Sequence, residues 1–297
     1  MIDPSASVSV IVPVFDDAVA LENCLAALAR QDHAGPVEII VVDNAPRFSL
    51  ARLAERHPEA TFLWEPRPGS YRARNRALGE AQGEIIAFTD SDCRPHPGWL
   101  SAAVAALAAR PELGFIGGRV RVVPAVPGNP ATAELFDQIL AFPQRRYVET
   151  GGYAVTANMV ARRSVIDQVG GFDAGLKSGG DAEWGQRAVA AGYARAYVEA
   201  AVVDHPARRS WAEIAGKLRR TAGGARDRSP EWRDCLAFVA RHAVPPRRHV
   251  LTLLEAREPE IGWPKRAQLI GWAIMANWVS AYERARLQLS RAPSARR

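Results

Sequence analysis

Two carboxylates one residue apart, Asp90 and Asp92, follow an apolar run from Ile85 to Phe88, and Pro95 and Pro97 keep that run from continuing as a strand. Hard oxygen donors at this spacing suit Mg2+ or Mn2+, and such an ion suits a phosphate-bearing substrate. A solvated acidic turn, or a cap for a helix beginning near Pro97, would use the same residues. Three other places carry reactive groups. Arg72, Arg74 and Arg76 crowd the start of a helical stretch from Ser70 to Leu78, where cations oppose the helix dipole; a bound diphosphate or a solvated face would account for them. Asp181 opens a helical segment, a place where an N-cap is ordinary. His205 leaves a strand end much as Asp92 does, and there it is either a surface histidine or a metal ligand.

The elements around these residues alternate. Val8 to Val14, Val37 to Val42 and Thr61 to Trp64 read as buried strands, separated by helical patterns carried by Leu21, Leu25 and Leu28 and by a short helix from Ser49 to His57. That alternation predicts βαβ units and a Rossmann-like, mostly parallel central sheet flanked by helices, with ligands beyond the carboxyl ends of its strands. Further on, Trp99 to Ala109 predicts a helix, Leu113 to Val123 a strand and Thr132 to Phe142 a helix. Ala154 to Arg162 predicts a strand, and the last strands fall in Ala194 to Val203. Gln144 to Gly152 lacks regularity and reads as a mobile segment over a site.

At 297 residues the chain can bury a large core and carry an appendage. Its first residues lack a secretory signal pattern, and three scattered cysteines, Cys24, Cys93 and Cys235, argue against disulfides or a zinc site; a cytoplasmic location follows as the expectation. Net charge is uneven. Residues 1–204 hold 19 Lys+Arg against 24 Asp+Glu, a balance of −5, while residues 205–297 hold 19 against 8, a balance of +11. A basic block of this kind meets phosphates, nucleic acid or an anionic membrane.

Taken in order, Val8-Ser9-Val10-Ile11-Val12-Pro13-Val14, Glu38 to Asn44, Ala73-Arg74-Asn75, Gly83 to Asp92, Pro97-Gly98-Trp99-Leu100, Gly170-Gly171-Phe172-Asp173 and Asp181-Ala182-Glu183 resemble the inverting, nucleotide-sugar-dependent glycosyltransferases of family 2, which have the GT-A fold. The resemblance covers Ser7 to His205 and implies a transfer from a nucleotide sugar, a UDP-sugar in the first instance, to a hydroxyl acceptor. It implies that Pro13, Phe15 and Asp43 hold the nucleoside, that Gly69 and Arg74 lie along the diphosphate, that Asp90 faces the ribose or sugar, and that Asp92 holds the divalent metal with His205 completing its shell. By the same token Asp181 matches the catalytic base, with Glu183 and Trp184 on the acceptor side. The chain departs from the family in placing Gly180 before the base where Glu is usual, Phe15-Asp16 where Tyr-Asn is usual, and Ala45-Pro46 after Asp43-Asn44. A nucleotidyltransferase would need a basic, glycine-rich loop after the first strand, where Phe15-Asp16-Asp17 is acidic. A non-catalytic nucleotide-sugar-binding protein on the same fold is the remaining rival.

These patterns divide the chain into a catalytic domain, residues 1–205, and a basic helical extension, residues 206–297. In the extension, Ser210 to Arg228 predicts a basic helix and Ala267 to Leu289 a long one with Trp272, Trp278 and Tyr282. The polar residues Asn277, Ser280, Arg284, Gln288 and Arg291 recur at helical spacing and leave an apolar face elsewhere. The uncharged run from Ala267 to Tyr282 is too short to span a bilayer. The helix therefore either packs on the protein or on a second copy, or lies in the plane of an inner-membrane surface beside a lipid-linked saccharide acceptor. Nucleic acid has only the basic tail in its favour and is not an expected partner.

Overall fold

The computed structural model describes residues 3–45, 50–257 and 260–290. Pro46, Ser49 and Arg291, which enter the expectations above, lie outside the described residues.

Strand β1 (Val8–Val14) is buried along almost its whole length, as a continuous run of β-branched residues requires of a central strand. It is followed by helix α1 (Ala18–Leu28), β2 (Val37–Asp43), α2 (Ala51–Arg56), β3 (Ala60–Trp64), α3 (Ser70–Leu78) and β4 (Ile85–Phe88). Asp17 caps α1 by accepting the Ala20 N–H. β1 pairs in parallel with both β2 and β4, and β2 with β3, so the alternating half of the sequence builds the parallel half of the sheet. The register places Val14 opposite Asp43 and Ile11 opposite Phe88. The chain segments after Val14, Asp43 and Phe88 therefore leave the sheet at one edge.

Beyond β4 the sheet is mixed, which sharpens the expectation of a mostly parallel one. The short β5 (Arg94–Pro95) leads into α4 (Trp99–Ala109) and β6 (Leu113–Val123); α5 (Thr132–Leu140) and α6 (Gln144–Glu149) precede β7 (Met159–Arg162), α7 (Arg163–Val169), α8 (Gly180–Ala190) and β8 (Ala194–Pro206). The order is β3-β2-β1-β4-β7-β6-β8-β5, with β7 antiparallel to β4 and β6, and β5 antiparallel to β8. Two expectations change in this half. Only Met159–Arg162 of the stretch from Ala154 is strand, because Thr156–Asn158 forms a 3-10 turn in which buried Asn158 accepts from the Trp99 indole and donates to the Arg119 and Ala201 carbonyls. β8 is one long strand that includes Asp204 and His205.

Gln144 to Gly152 is not irregular throughout. α6 forms there because the buried Gln144 side chain donates to the Asn158 carbonyl and accepts from the Val155 N–H, a tertiary anchor that no local periodicity announces.

Two compact units emerge. One comprises residues 1–121, 143–175 and 180–205; the other comprises residues 122–142, 176–179 and 206–297. In the second, α9 (Trp211–Arg228), α10 (Trp232–Ala243), α11 (Arg247–Glu255) and α12 (Trp263–Ser290) follow one another. Ser210 caps α9 by accepting the Glu213 N–H. Its core gathers Leu135 and Phe136 of α5 with Ile214, Leu253, Leu269 and Ala273, and the rings of Trp211 and Trp272 pack edge-on at 5.1 Å. Buried Asp137 accepts from both the Arg208 guanidinium and the Arg208 backbone N–H, so this unit pairs its interior charge.

Candidate active site

Asp90 and Asp92 lie just past β4, and His205 lies near the end of β8. One ligand atom each from Asp90, Asp92, Cys93 and His205 fall within 4.8 Å of one another. The His205 Nε2 is 3.8 Å from Asp92 Oδ2. Two carboxylates and an imidazole are a donor set for Mn2+ or Mg2+, and their gathering in one place fits the metal expected at Asp92. Cys93 was not anticipated in this group, although it stands next to Asp92 in the sequence. Its thiol is buried, and burial together with the charges of Asp92 and Asp90 pushes its pKa well up, so oxygen and nitrogen are the donors this chain offers a hard cation.

Arg74, expected along the diphosphate, meets Asp90. Its guanidinium is buried and donates from Nη2 to Asp90 Oδ1 at 2.5 Å. This answers why a cation sits early in α3: Arg74 orients one carboxylate of the candidate metal group, while Arg76 pairs with Glu80 four residues on. Its Nε is buried and has no hydrogen-bond partner among the described residues.

The residues expected on the nucleoside side occupy the same edge. Asp43 is buried at the end of β2, and its Oδ1 accepts the Ala45 N–H. Pro13 is the penultimate residue of β1, and Phe15, directly after the strand, is exposed. Asn44, given no role of its own from the sequence, ties this edge together: it donates to the Glu65 and Arg67 carbonyls, and its Oδ1 accepts the Gly69 N–H. Gly69 has φ +141°, a conformation that a side chain strains, so Gly69→Ala is expected to cost about 1–3 kcal/mol, read as a lower midpoint in urea unfolding.

Asp181 is half-buried in the first turn of α8, its Oδ1 accepting the Ala182 N–H at 3.0 Å. Burial raises its carboxyl pKa, and that cost outweighs the opposing pull of the backbone N–H, the Arg74 charge and the Tyr71 hydroxyl. The Tyr71 hydroxyl lies 3.4 Å both from Asp181 Oδ1 and from its amide nitrogen. Gly180 explains the departure from the usual Glu: a Cβ there would sit 2.8 Å from the Tyr71 ring, so the tyrosine fills the space a side chain would take. Tyr147 of α6 also feels Asp181, its phenol pushed up to about 12 by burial and then by that charge. Because the Tyr71 hydroxyl favours the carboxylate form, Tyr71→Phe is expected to move the acidic limb of any Asp181-dependent pH–rate profile to higher pH, which initial rates across pH 4–8 (approximate window) would show.

Two acceptor-side expectations fare differently. Glu183 is held by Arg187, Nε to Oε1 at 2.9 Å and Nη2 to Oε2 at 3.0 Å, while Arg187 also caps the carbonyl of Gly171. Trp184 is only 1% exposed; its indole donates to the Gly170 carbonyl and its ring packs on Phe115 and Phe172. It is a core residue that seats α8, and no surface is left on it for an acceptor.

Residues 9–170, more than half of the chain, match glycosyl transferase family 2. The chain belongs to this family. Glycosyltransferase AglE of Haloferax volcanii is 31% identical over 223 residues, 73% of this chain and 72% of that protein. Pre-mycofactocin glycosyltransferase of Mycobacterium tuberculosis is 30% identical over 216 residues, 69% of this chain but 44% of the longer relative. Among solved structures, the mannosyltransferase PcManGT from Pyrobaculum calidifontis, in complex with GDP-Man and Mn2+, aligns with a TM-score of 0.62 over 97% of this chain and 89% of its own, at 21% identity. At that identity the likeness shows the fold, and it is the GT-A fold. The family 2 match ends before Asp181 and His205, so the places of these two residues in the site rest on the geometry above.

Proposed function

We propose that the protein is an inverting glycosyltransferase that moves a sugar from a nucleotide-sugar donor to a hydroxyl of a saccharide acceptor, with lipid-linked saccharides the first class to test. The observation that carries this reading is the meeting of Asp90, Asp92 and His205 within 4.8 Å at the edge where β1, β2 and β4 end. Asp92 and His205, with Asp90, would hold the divalent cation, which when bound supplies positive charge opposite the diphosphate of the donor. Asp43, Pro13 and Phe15 offer the base and ribose a buried carboxylate, a strand end and an exposed ring.

Asp181 takes the acceptor proton. A carboxylate held partly out of water by Tyr71 and Tyr147 binds a proton more readily than a free one, and it is still exposed enough for a hydroxyl to reach it. As the acceptor oxygen bonds to the anomeric carbon, the bond to the nucleoside diphosphate breaks and the leaving group carries away the electron pair. The proton ends on Asp181. One carboxylate base serves a single displacement with inversion. Arg74 holds Asp90 in place and lends positive charge to the Asp181 environment, so it links the two halves.

Nucleotidyl transfer has no comparable support, since Asp17 caps α1 where a triphosphate cradle would stand. The direct test is calorimetric titration with UDP- and GDP-linked sugars in Mn2+, in Mg2+ and in EDTA. At least one donor is expected to bind with metal and to lose that binding in EDTA; failure of every donor with both metals would sink the proposal.

A further inference from the structure

Helix α12 buries Leu269, Ala273, Ala276 and Leu287 on its inner side, yet it also carries large aromatic side chains on its outer side. Ser280 is 7% exposed and Arg284 1%, while Trp278 is 57% and Tyr282 69% exposed. The polar positions turn inward, where the Arg284 guanidinium donates to the Ser229 carbonyl and to Gln288, and Ser280 to the Ala276 carbonyl. The outward positions Gly271, Met275, Trp278, Tyr282, Arg286 and Leu289 follow steps of three and four, so they form one stripe. Water gains nothing from such a stripe, and a run of this length points to an apolar partner.

α10 and α11 pack along α12. Cys235 of α10 meets the Arg284 carbonyl, Gln288 donates to the Pro230 carbonyl, and Asn277 donates to the Val244 carbonyl. α10 therefore runs antiparallel to α12 from its C-terminal end to its middle. Arg266 then donates to the carbonyls of Leu253, Leu254 and Ala256, which lays the end of α11 along the N-terminal part of α12. α10 exposes Trp232 and Leu236, the link to α11 exposes Val244, and α11 exposes Leu251 and Leu254. Arg233, Arg241, Arg247 and Arg248 are exposed among them.

We infer that the α10–α11–α12 surface docks in the plane of an anionic lipid bilayer. Exposed tryptophan and tyrosine with interspersed arginine is the composition that settles at the headgroup level. Charge favours lipid over a second copy: residues 232–290, which hold these three helices, carry 9 Lys+Arg against 5 Asp+Glu, and a two-fold contact would bring this same net positive surface against itself. No helix of the described residues is long and apolar enough to cross a membrane, so the contact proposed is one of lying on the bilayer. This inference concerns a partner and not transfer, and it stands or falls separately from the reading of the active site.

The test is flotation of the full chain with vesicles of mixed phosphatidylglycerol and phosphatidylcholine, beside vesicles of phosphatidylcholine alone. The wild type is expected to float with the anionic vesicles and to be released by added salt. Trp278→Ser/Tyr282→Ser and Arg247→Ser/Arg248→Ser are each expected to reduce binding about tenfold, with far-UV circular dichroism unchanged because all four side chains are on or near the surface. If a variant does not fold, quenching of wild-type tryptophan fluorescence by brominated phosphatidylglycerol decides in its place: quenching is expected, and its absence overturns the inference. Failure of the wild type to float at low ionic strength, or folded variants that float as well as the wild type, would also overturn it. So would a wild-type dimer in sedimentation that Trp278→Ser dissociates and that ignores vesicles, which would assign the face to a second copy.

Discussion

Asp181→Asn is expected to lower the rate of sugar transfer by on the order of 10²–10⁴-fold, the range for loss of a positioned general base, while donor affinity in the presence of metal stays within about twofold of wild type. The amide keeps the shape and can still accept the Ala182 N–H, so the helix start is preserved and only proton acceptance is lost. Stability separates this from a folding defect, and its sign is unusual. Because burial raises the Asp181 pKa in the folded protein above its ordinary value, the folded state binds the proton more tightly than the unfolded one. Stability from this group is then fully present below the ordinary carboxylate pKa and is lost as pH rises through the raised one. At neutral pH the ionised side chain is a cost, so Asp181→Asn should melt no lower than wild type at pH 7 (approximate assay value) and may be measured by scanning calorimetry. Normal transfer by this variant would show that the base lies elsewhere.

Asp92→Ala is expected to reduce metal-dependent donor binding by about 100-fold or more, and His205→Ala by about 10-fold, in calorimetric titrations with Mn2+. The difference in size follows from charge: an anionic oxygen ligand contributes more to holding a hard dication than a neutral ring nitrogen. Removing Asp92 leaves the Arg74–Asp90 pair in place, so the remaining carboxylate cannot regain the ion by swinging freely. The same titrations in EDTA give the baseline, and Asp92→Ala is expected to match it. If Asp92→Ala bound donor with undiminished metal dependence, the cation would have to be held by another set of residues.

Much of the catalytic unit is legible along the chain because its parallel strands are local events. Val8–Val14, Val37–Asp43 and Ile85–Phe88 are continuous apolar runs, and a run buried on both faces needs no partner's identity to be read as a central strand. Asp90 and Asp92 follow directly, since the residues after such a strand leave the sheet at its ligand-binding edge. His205 differs, since it lies within β8 and not beyond a strand end. The antiparallel half was less legible: the turn at Thr156–Asn158 and helix α6 owe their shape to side-chain bonds of Asn158 and Gln144 with remote backbone.

What the sequence by itself determined is therefore the set of strands, the carboxylates that they deliver and the charge of the C-terminal third. Tertiary structure alone decided the use of several side chains. It buried Arg74 against Asp90, put Cys93 beside Asp90, Asp92 and His205, closed Trp184 into the core, and filled the space next to Gly180 with the ring of Tyr71 from α3. It also decided which side of α12 faces out. Helical spacing shows that polar and apolar residues fall on different sides, but burial depends on what packs there. Ser280 and Arg284 found carbonyl partners inside, which left Trp278 and Tyr282 to the surface. The reason is general: periodicity is a property of one segment, whereas desolvation and hydrogen-bond satisfaction belong to pairs of segments that the chain brings together only on folding.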